Sequence, residues 1–178
     1  MEKRNDLPAR YATEEETQKQ KEYTEKIANM IADGTPKKAC VVTYGCQQNE
    51  ADSERIAGML HAMGYEKTEK EADADIIIVN TCSVRDHAEQ RALSITGGYK
   101  HLKAKKTSLI IGISGCMVSK QAQTDKIKHS YPYIDFTFGT EKLWQLPEIL
   151  YHVMTEEKSI FCPNEGKPIT AEGIPVLR

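Results

Sequence analysis

Three thiols in this 178-residue chain occupy matching settings. Cys46 lies in VVTYGCQQNEADSE (41–54), Cys82 in VNTCSVRDHAEQ (79–90) and Cys116 in LIIGISGCMVSK (109–120). In each, a run of β-branched or aliphatic residues stops and a polar stretch of helical pattern begins a few residues later. A cysteine just before a helix faces backbone N–H groups and the positive end of the helix dipole, which favour the thiolate. Thiolate is the form that iron–sulfur clusters and zinc require. Gly45 and Gly115, each immediately ahead of its cysteine, remove a Cβ where backbone must turn tightly beside a bulky ligand. Asn49, Asn80 and Ser83 are expected to donate hydrogen bonds to sulfur, and Arg85 to steady an anionic group, which makes these four a possible outer shell. A structural zinc site takes four protein ligands, so three thiols leave a metal centre with one open position.

The surrounding elements explain how thiols so far apart could meet. Residues 38–44, 75–80 and 108–113 read as strands, the last two almost continuously apolar as in strands buried on both faces. Residues 65–68 and 134–138 are shorter strand candidates. Helical spacing covers 49–63, 83–103, 118–129 and 141–154, with Gly97-Gly98 expected to weaken or bend the second. This alternation predicts an α/β fold: a Rossmann/flavodoxin-like parallel sheet with helices on both faces. In such a sheet the loops after the strands gather on one edge. Cys46, Cys82 and Cys116 follow their strands by two, two and three residues, so three independent elements deliver a thiol to one rim. Residues 1–36 read as an N-terminal helical extension, 37–154 as the cysteine-bearing domain and 155–178, with three of the seven prolines, as a linker. Cys40 falls inside the first strand as a core residue, and Cys162 falls in the linker.

Composition narrows the possibilities. A formal charge of −2 does not suit a general nucleic-acid clamp, which is normally basic. No apolar run approaches the roughly 20 residues of a membrane helix, and the N-terminus lacks a secretory apolar region. A cytoplasmic location with no membrane partner is expected. Five cysteines without a CxxC pair, in a reducing compartment, favour metal binding or thiol chemistry over a disulfide framework. The five histidines show no metal-ligand spacing, and the basic run at 103–106 reads as a solvated helix end before it reads as an RNA contact.

The segments TYGCQQNEADSE, VNTCSVRDHAEQ and SGCMVSK resemble the three cysteine motifs of the N-terminal domain of methylthiotransferases, radical S-adenosylmethionine enzymes that attach a methylthio group to RNA or to a ribosomal protein. Gln47 and Asn49 fit the branch that converts isopentenyladenosine in tRNA to its 2-methylthio form; the ribosomal-protein branch reads GCPKN and the threonylcarbamoyladenosine branch GCKVN. Gln48 and Val118 depart from residues frequent in the family. The resemblance implies that Cys46, Cys82 and Cys116 hold an auxiliary [4Fe–4S] cluster whose open iron carries sulfur from a donor. It also implies a longer enzyme, with a radical S-adenosylmethionine domain, a second [4Fe–4S] cluster, S-adenosylmethionine and a C-terminal RNA-binding domain through which most tRNA contact occurs. No CxxxCxxC motif lies in these residues, so alone they are expected to be inactive. Two other readings remain open at this point: a zinc-stabilised flavodoxin-like binding module, and a thiol enzyme with one nucleophilic cysteine. A methylthiotransferase acting on another RNA base or on a ribosomal protein is the nearer alternative.

Overall fold

The computed structural model describes residues 10–82, 86–165 and 168–178. Its central strand, β4 (Ile76–Thr81), is buried along its whole length, and alternation along it splits the core in two. Ile76 and Ile78 face one hydrophobic cluster, Ile77 and Val79 the other. β4 pairs in parallel with β2 (Lys38–Tyr44) on one side and β5 (Ile110–Gly115) on the other. β3 (Glu66–Lys67), β6 (Phe136–Phe138) and β7 (Ile160–Cys162) complete a six-stranded parallel sheet in the order β3-β2-β4-β5-β6-β7. β-branched residues fill its centre because they pack well on a pleated surface covered from both sides.

One face is covered by α1 (Glu14–Ile31), α2 (Gln47–Ala62) and α5 (Leu146–Glu156) through Ile27, Ile56, Leu60 and Leu150. The other carries α3 (Asp86–Lys105) and α4 (Gln121–Ser130) through Ala92, Tyr99 and Ile127. The expected α/β architecture is therefore present. α3 runs unbroken through Gly97 and Gly98, where the sequence predicted a weakened or bent helix. Packing of Ala92, Thr96 and Tyr99 on the sheet, and the 2.7 Å bond from the Tyr99 hydroxyl to Glu71, offset the low propensity of the two glycines.

Three further features were not anticipated. The tail expected as a linker instead carries β7, which extends the sheet, and β8 (Ile169–Thr170), which pairs in parallel with β1 (Arg10–Tyr11). Residues 173–177 then strap across α2: the Leu177 N–H donates to the Glu54 carbonyl at 3.0 Å, and a Cβ on Gly58 would overlap the Pro175 carbonyl. The helical extension packs on the body, as its thin apolar stripe leads one to expect. Lys19 and Gln20 reach Glu148 at 2.6 and 2.9 Å, and Tyr23 packs against Tyr151 with ring centroids 5.1 Å apart. In the basic run, Lys103 pairs with Asp135 at 2.5 Å and Lys106 with Asp75 at 2.8 Å, at the amino ends of the strands. These lysines brace the pole opposite the cysteines and are not a solvated helix end. Among the described residues, no helix is long and apolar enough to cross a membrane.

Candidate metal centre

β2, β4 and β5 end in step: Tyr44 pairs with Thr81, and Thr81 with Gly115. Cys82 and Cys116 are the next residues after β4 and β5, and Cys46 follows β2 by two. The Cys82 N–H extends the ladder by one bond, to the Tyr44 carbonyl at 3.0 Å. All three thiols therefore leave the carboxyl edge at one height. Cys46 is exposed, Cys116 half-buried and Cys82 buried. Their side chains sense one another, since the Cys46 sulfur accepts a hydrogen bond from Cys82 and the charges of Cys82 and Cys46 act on Cys116. The remaining two cysteines stand apart from them: Cys40 is buried in β2, and Cys162 pairs into β7 opposite Phe138. Ser83 and Arg85, two expected outer-shell residues, lie outside the described residues. His87, the histidine nearest the rim in sequence, is exposed.

Beneath the thiols runs a buried polar network. Asn49 sits one turn into α2 and is 2% exposed; Asn80, near the end of β4, is 1% exposed. Asn49 Nδ2 donates to Asn80 Oδ1 at 3.2 Å. Asn80 Nδ2 donates to the Asn49 carbonyl at 2.7 Å and to Ser53 Oγ at 3.0 Å, and the Thr43 hydroxyl donates to the same Ser53 oxygen at 2.7 Å. These bonds fix the orientation of the Asn49 amide, so its Oδ1 faces Cys46 and accepts from the Cys46 N–H at 3.2 Å and the thiol at 3.3 Å. Of the expected donors to sulfur, Asn49 donates through its backbone N–H, while its side-chain Oδ1 accepts from Cys46 because its amino group is committed to Asn80, and Asn80 acts one step further back. Thr43 and Ser53 were not anticipated as parts of this network. Period-two alternation does place Thr43 on the face of β2 that looks at α2, and Ser53 lies one turn after Asn49.

Two glycines complete the cradle. A Cβ on Gly45 would overlap Asn49 Oδ1 and stand 2.9 Å from the Cys82 Cβ. Gly115 has φ +105°, and a Cβ there would overlap the Thr81 carbonyl and lie 2.7 Å from Asn80 Oδ1. Backbone can approach the cysteines this closely only without side chains at these positions. The hydroxyls of Thr81 and Ser114, buried just behind Cys82 and Cys116, have no partner among the described residues.

The electrostatics oppose one another across the site. Cys46 occupies the N-cap of α2, where the N–H groups of Asn49 and then Gln48 hold its thiol below the ordinary value. Burial pushes the Cys116 thiol up, and the charges of Cys82, Cys46 and Asp52 add to that. Three anionic sulfurs so placed repel, and a cationic group bound among them would relieve the repulsion, so the donor set suits a thiophilic metal centre. Among the described residues, no three His, Cys, Asp or Glu side chains are grouped to hold a single metal ion. Asp52, 6% exposed, is pushed up by burial against hydrogen bonds from Gln48 and Arg55 at 3.1 and 3.2 Å.

Comparison with known proteins gives a consistent result. The chain is 42% identical over 164 residues to a tRNA-2-methylthio-N(6)-dimethylallyladenosine synthase of Caldicellulosiruptor saccharolyticus, covering 89% of this chain and 35% of that protein. The synthase of the same name from Thermoanaerobacter sp. (strain X514) is 42% identical over 171 residues, or 94% of this chain and 36% of its own length. That of Clostridium perfringens (strain SM101) is 44% identical over 142 residues, or 78% and 31%. The chain thus spans about a third of the length of the curated relatives it matches. The model described as "Uncharacterized protein family UPF0004" matches residues 38–139, the segment that contains all three rim cysteines and their cradle. With more than half of its length inside that match, the chain belongs to the UPF0004 family, and its likeness to the synthases is that of the N-terminal domain of a methylthiotransferase.

Proposed function

We propose that Cys46, Cys82 and Cys116 hold an auxiliary [4Fe–4S] cluster in a tRNA methylthiotransferase that adds a methylthio group to C2 of isopentenyladenosine next to the anticodon. The observation that carries this reading is the convergence of three thiols, from three separate strand ends, on one rim. The names of the relatives supply the substrate class. When bound, a cluster held by three thiolates offers one iron open to an exogenous sulfur ligand. The chain's own residues prepare the place: N–H groups of α2 favour the Cys46 thiolate, Asn49 holds the Cys46 backbone, and Gly45 and Gly115 keep the surrounding backbone flush with the sulfurs. Radical chemistry on S-adenosylmethionine needs a second set of ligands that these five cysteines, none in a CxxxCxxC spacing, do not supply. We therefore expect no methylthio transfer by these residues alone, with tRNA held mainly by other parts of a longer protein.

Anaerobic reconstitution with iron and sulfide tests the reading. About four irons per chain and a visible charge-transfer band are expected. Cys46→Ala, Cys82→Ala and Cys116→Ala should each lose the cluster, while Cys40→Ala and Cys162→Ala keep it. Zinc uptake without iron, or full iron content in any of the three rim variants, refutes it.

A further inference from the structure

The three rim thiols are not equally anchored. Cys46 is the N-cap of a long helix, and Cys82 is locked by a ladder bond to β2. Cys116 instead opens a four-residue 3-10 turn, Cys116–Ser119, followed by extended backbone at Lys120. This turn is closed on itself by the Ser119 hydroxyl, which donates to the Gly115 carbonyl at 3.1 Å. From outside, Met117 and Val118 pack into the core, the Thr124 hydroxyl donates to the Val118 carbonyl at 3.1 Å, and the rim end is held by Asn164, two residues past the end of β7. The Asn164 N–H donates to the Ser119 carbonyl at 3.0 Å. Its side-chain Oδ1 accepts from the Glu141 N–H at 3.1 Å, and its Nδ2 donates to Thr140 Oγ1 at 3.3 Å. The Thr140 N–H in turn reaches Ser119 Oγ at 3.4 Å. Gly139 leaves the space this needs, since a Cβ there would overlap Asn164 Oδ1. Three successive strand ends, those of β5, β6 and β7, are thereby tied together at the height of the thiols.

We propose that Asn164 is a positioning residue for Cys116: through Ser119, Thr140 and Glu141 it fixes the turn so that the Cys116 sulfur meets those of Cys46 and Cys82. The proposal rests on the cluster reading above, and it gives the tail segment around Asn164 a role at the metal centre. Because these bonds span only the rim, breaking them loosens the turn and leaves both hydrophobic cores in place. Asn164→Ala removes the side-chain bonds to Glu141 and Thr140, and Asn164→Asp keeps the acceptor for the Glu141 N–H.

The test uses the 178-residue chain in two states. In the metal-free chain, peptide-resolved alkylation under native conditions should show Cys116 reacting about tenfold faster in Asn164→Ala, as expected when one or two net hydrogen bonds no longer oppose local opening. Cys46 should stay within about twofold, and Asn164→Asp should recover most of the protection. Gly139→Ala, which displaces the Asn164 side chain, should accelerate Cys116 in the wild-type background and add nothing in Asn164→Ala. In the reconstituted chain, Asn164→Ala should bind fewer irons or shift the reduction potential at an unchanged melting temperature. Equal acceleration of all the thiols marks a general loss of stability and overturns the positioning role. So does wild-type alkylation and iron loading in Asn164→Ala. Failure of the wild-type chain to load iron overturns the cluster reading, and the proposal with it.

Discussion

Replacing Asn80 with alanine breaks the polar network beneath the thiols at its centre. Asn80 donates to the Asn49 carbonyl and to Ser53 Oγ and accepts from Asn49 Nδ2, all within a site that is 1–2% exposed at the two amides. In the variant, Ser53 Oγ keeps its bond from Thr43, whereas Asn49 Nδ2 faces alanine with no acceptor. An orphaned buried donor costs about 1–3 kcal/mol and each ordinary bond about 0.5–1.5 kcal/mol, so a loss near 3 kcal/mol follows. For a chain of this size that lowers the melting temperature by roughly 6–12 °C, at 2–4 °C per kcal/mol. Ser53→Ala removes an acceptor from two donors, but Asn80 Nδ2 retains the Asn49 carbonyl, and a loss of about 1 kcal/mol is expected. Thermal unfolding of the metal-free chain, followed by far-ultraviolet circular dichroism, gives both values. A drop of less than about 2 °C in Asn80→Ala, or a larger drop in Ser53→Ala, would refute the reasoning, because either shows that the network is not what Asn80 completes.

Two other perturbations probe the poles of the fold. Burial alone would raise the Asp75 carboxyl, but hydrogen bonds from Lys106 and the Lys38 N–H, with the charges of Lys106 and Lys37, bring it below its ordinary value. A carboxyl lowered in the folded state contributes stability that is present above the unfolded carboxylate range and lost as pH falls through the lowered value. Lys106→Met should therefore cost about 0.5–1 kcal/mol near pH 7, the pair being partly exposed, with the gap to wild type narrowing in urea titrations near pH 3; a gap independent of pH sinks this account. Gly58→Val should lift the strap of residues 173–177, because its side chain takes the place of the Pro175 carbonyl. The only tryptophan, Trp144, is buried and shares with this strap a cavity of about 380 Å³. Its emission should shift to the red and its quenching by acrylamide should rise with little change in melting temperature; unaltered quenching shows that the strap does not shield it.

Much of the framework was legible in the chain itself. Aliphatic runs at 38–44, 75–80 and 108–113 announce buried strands, because only a strand covered on both faces tolerates apolar residues at nearly every position. Each cysteine's place two or three residues after such a run follows from counting. The short strands were another matter. β7 has three residues and β8 two, beside Pro163 and Pro168, and nothing in their composition separates them from an irregular tail. Their pairing is decided by β6 and β1, which offer unpaired backbone at those points. Lys103 and Lys106 look like any basic helix end until Asp135 and Asp75 are placed beneath them.

That three thiols leave a parallel sheet on one side can be read along the chain, since periodicity and chain direction are local properties of the polypeptide. The facing of the Asn49 amide, its retention by Asn80 and Ser53, and the reach of Asn164 back to the turn carrying Cys116 emerge from the packed fold. Hydrogen-bond polarity and loop support depend on groups tens of residues distant, and their directions are settled only when the fold brings donors and acceptors face to face.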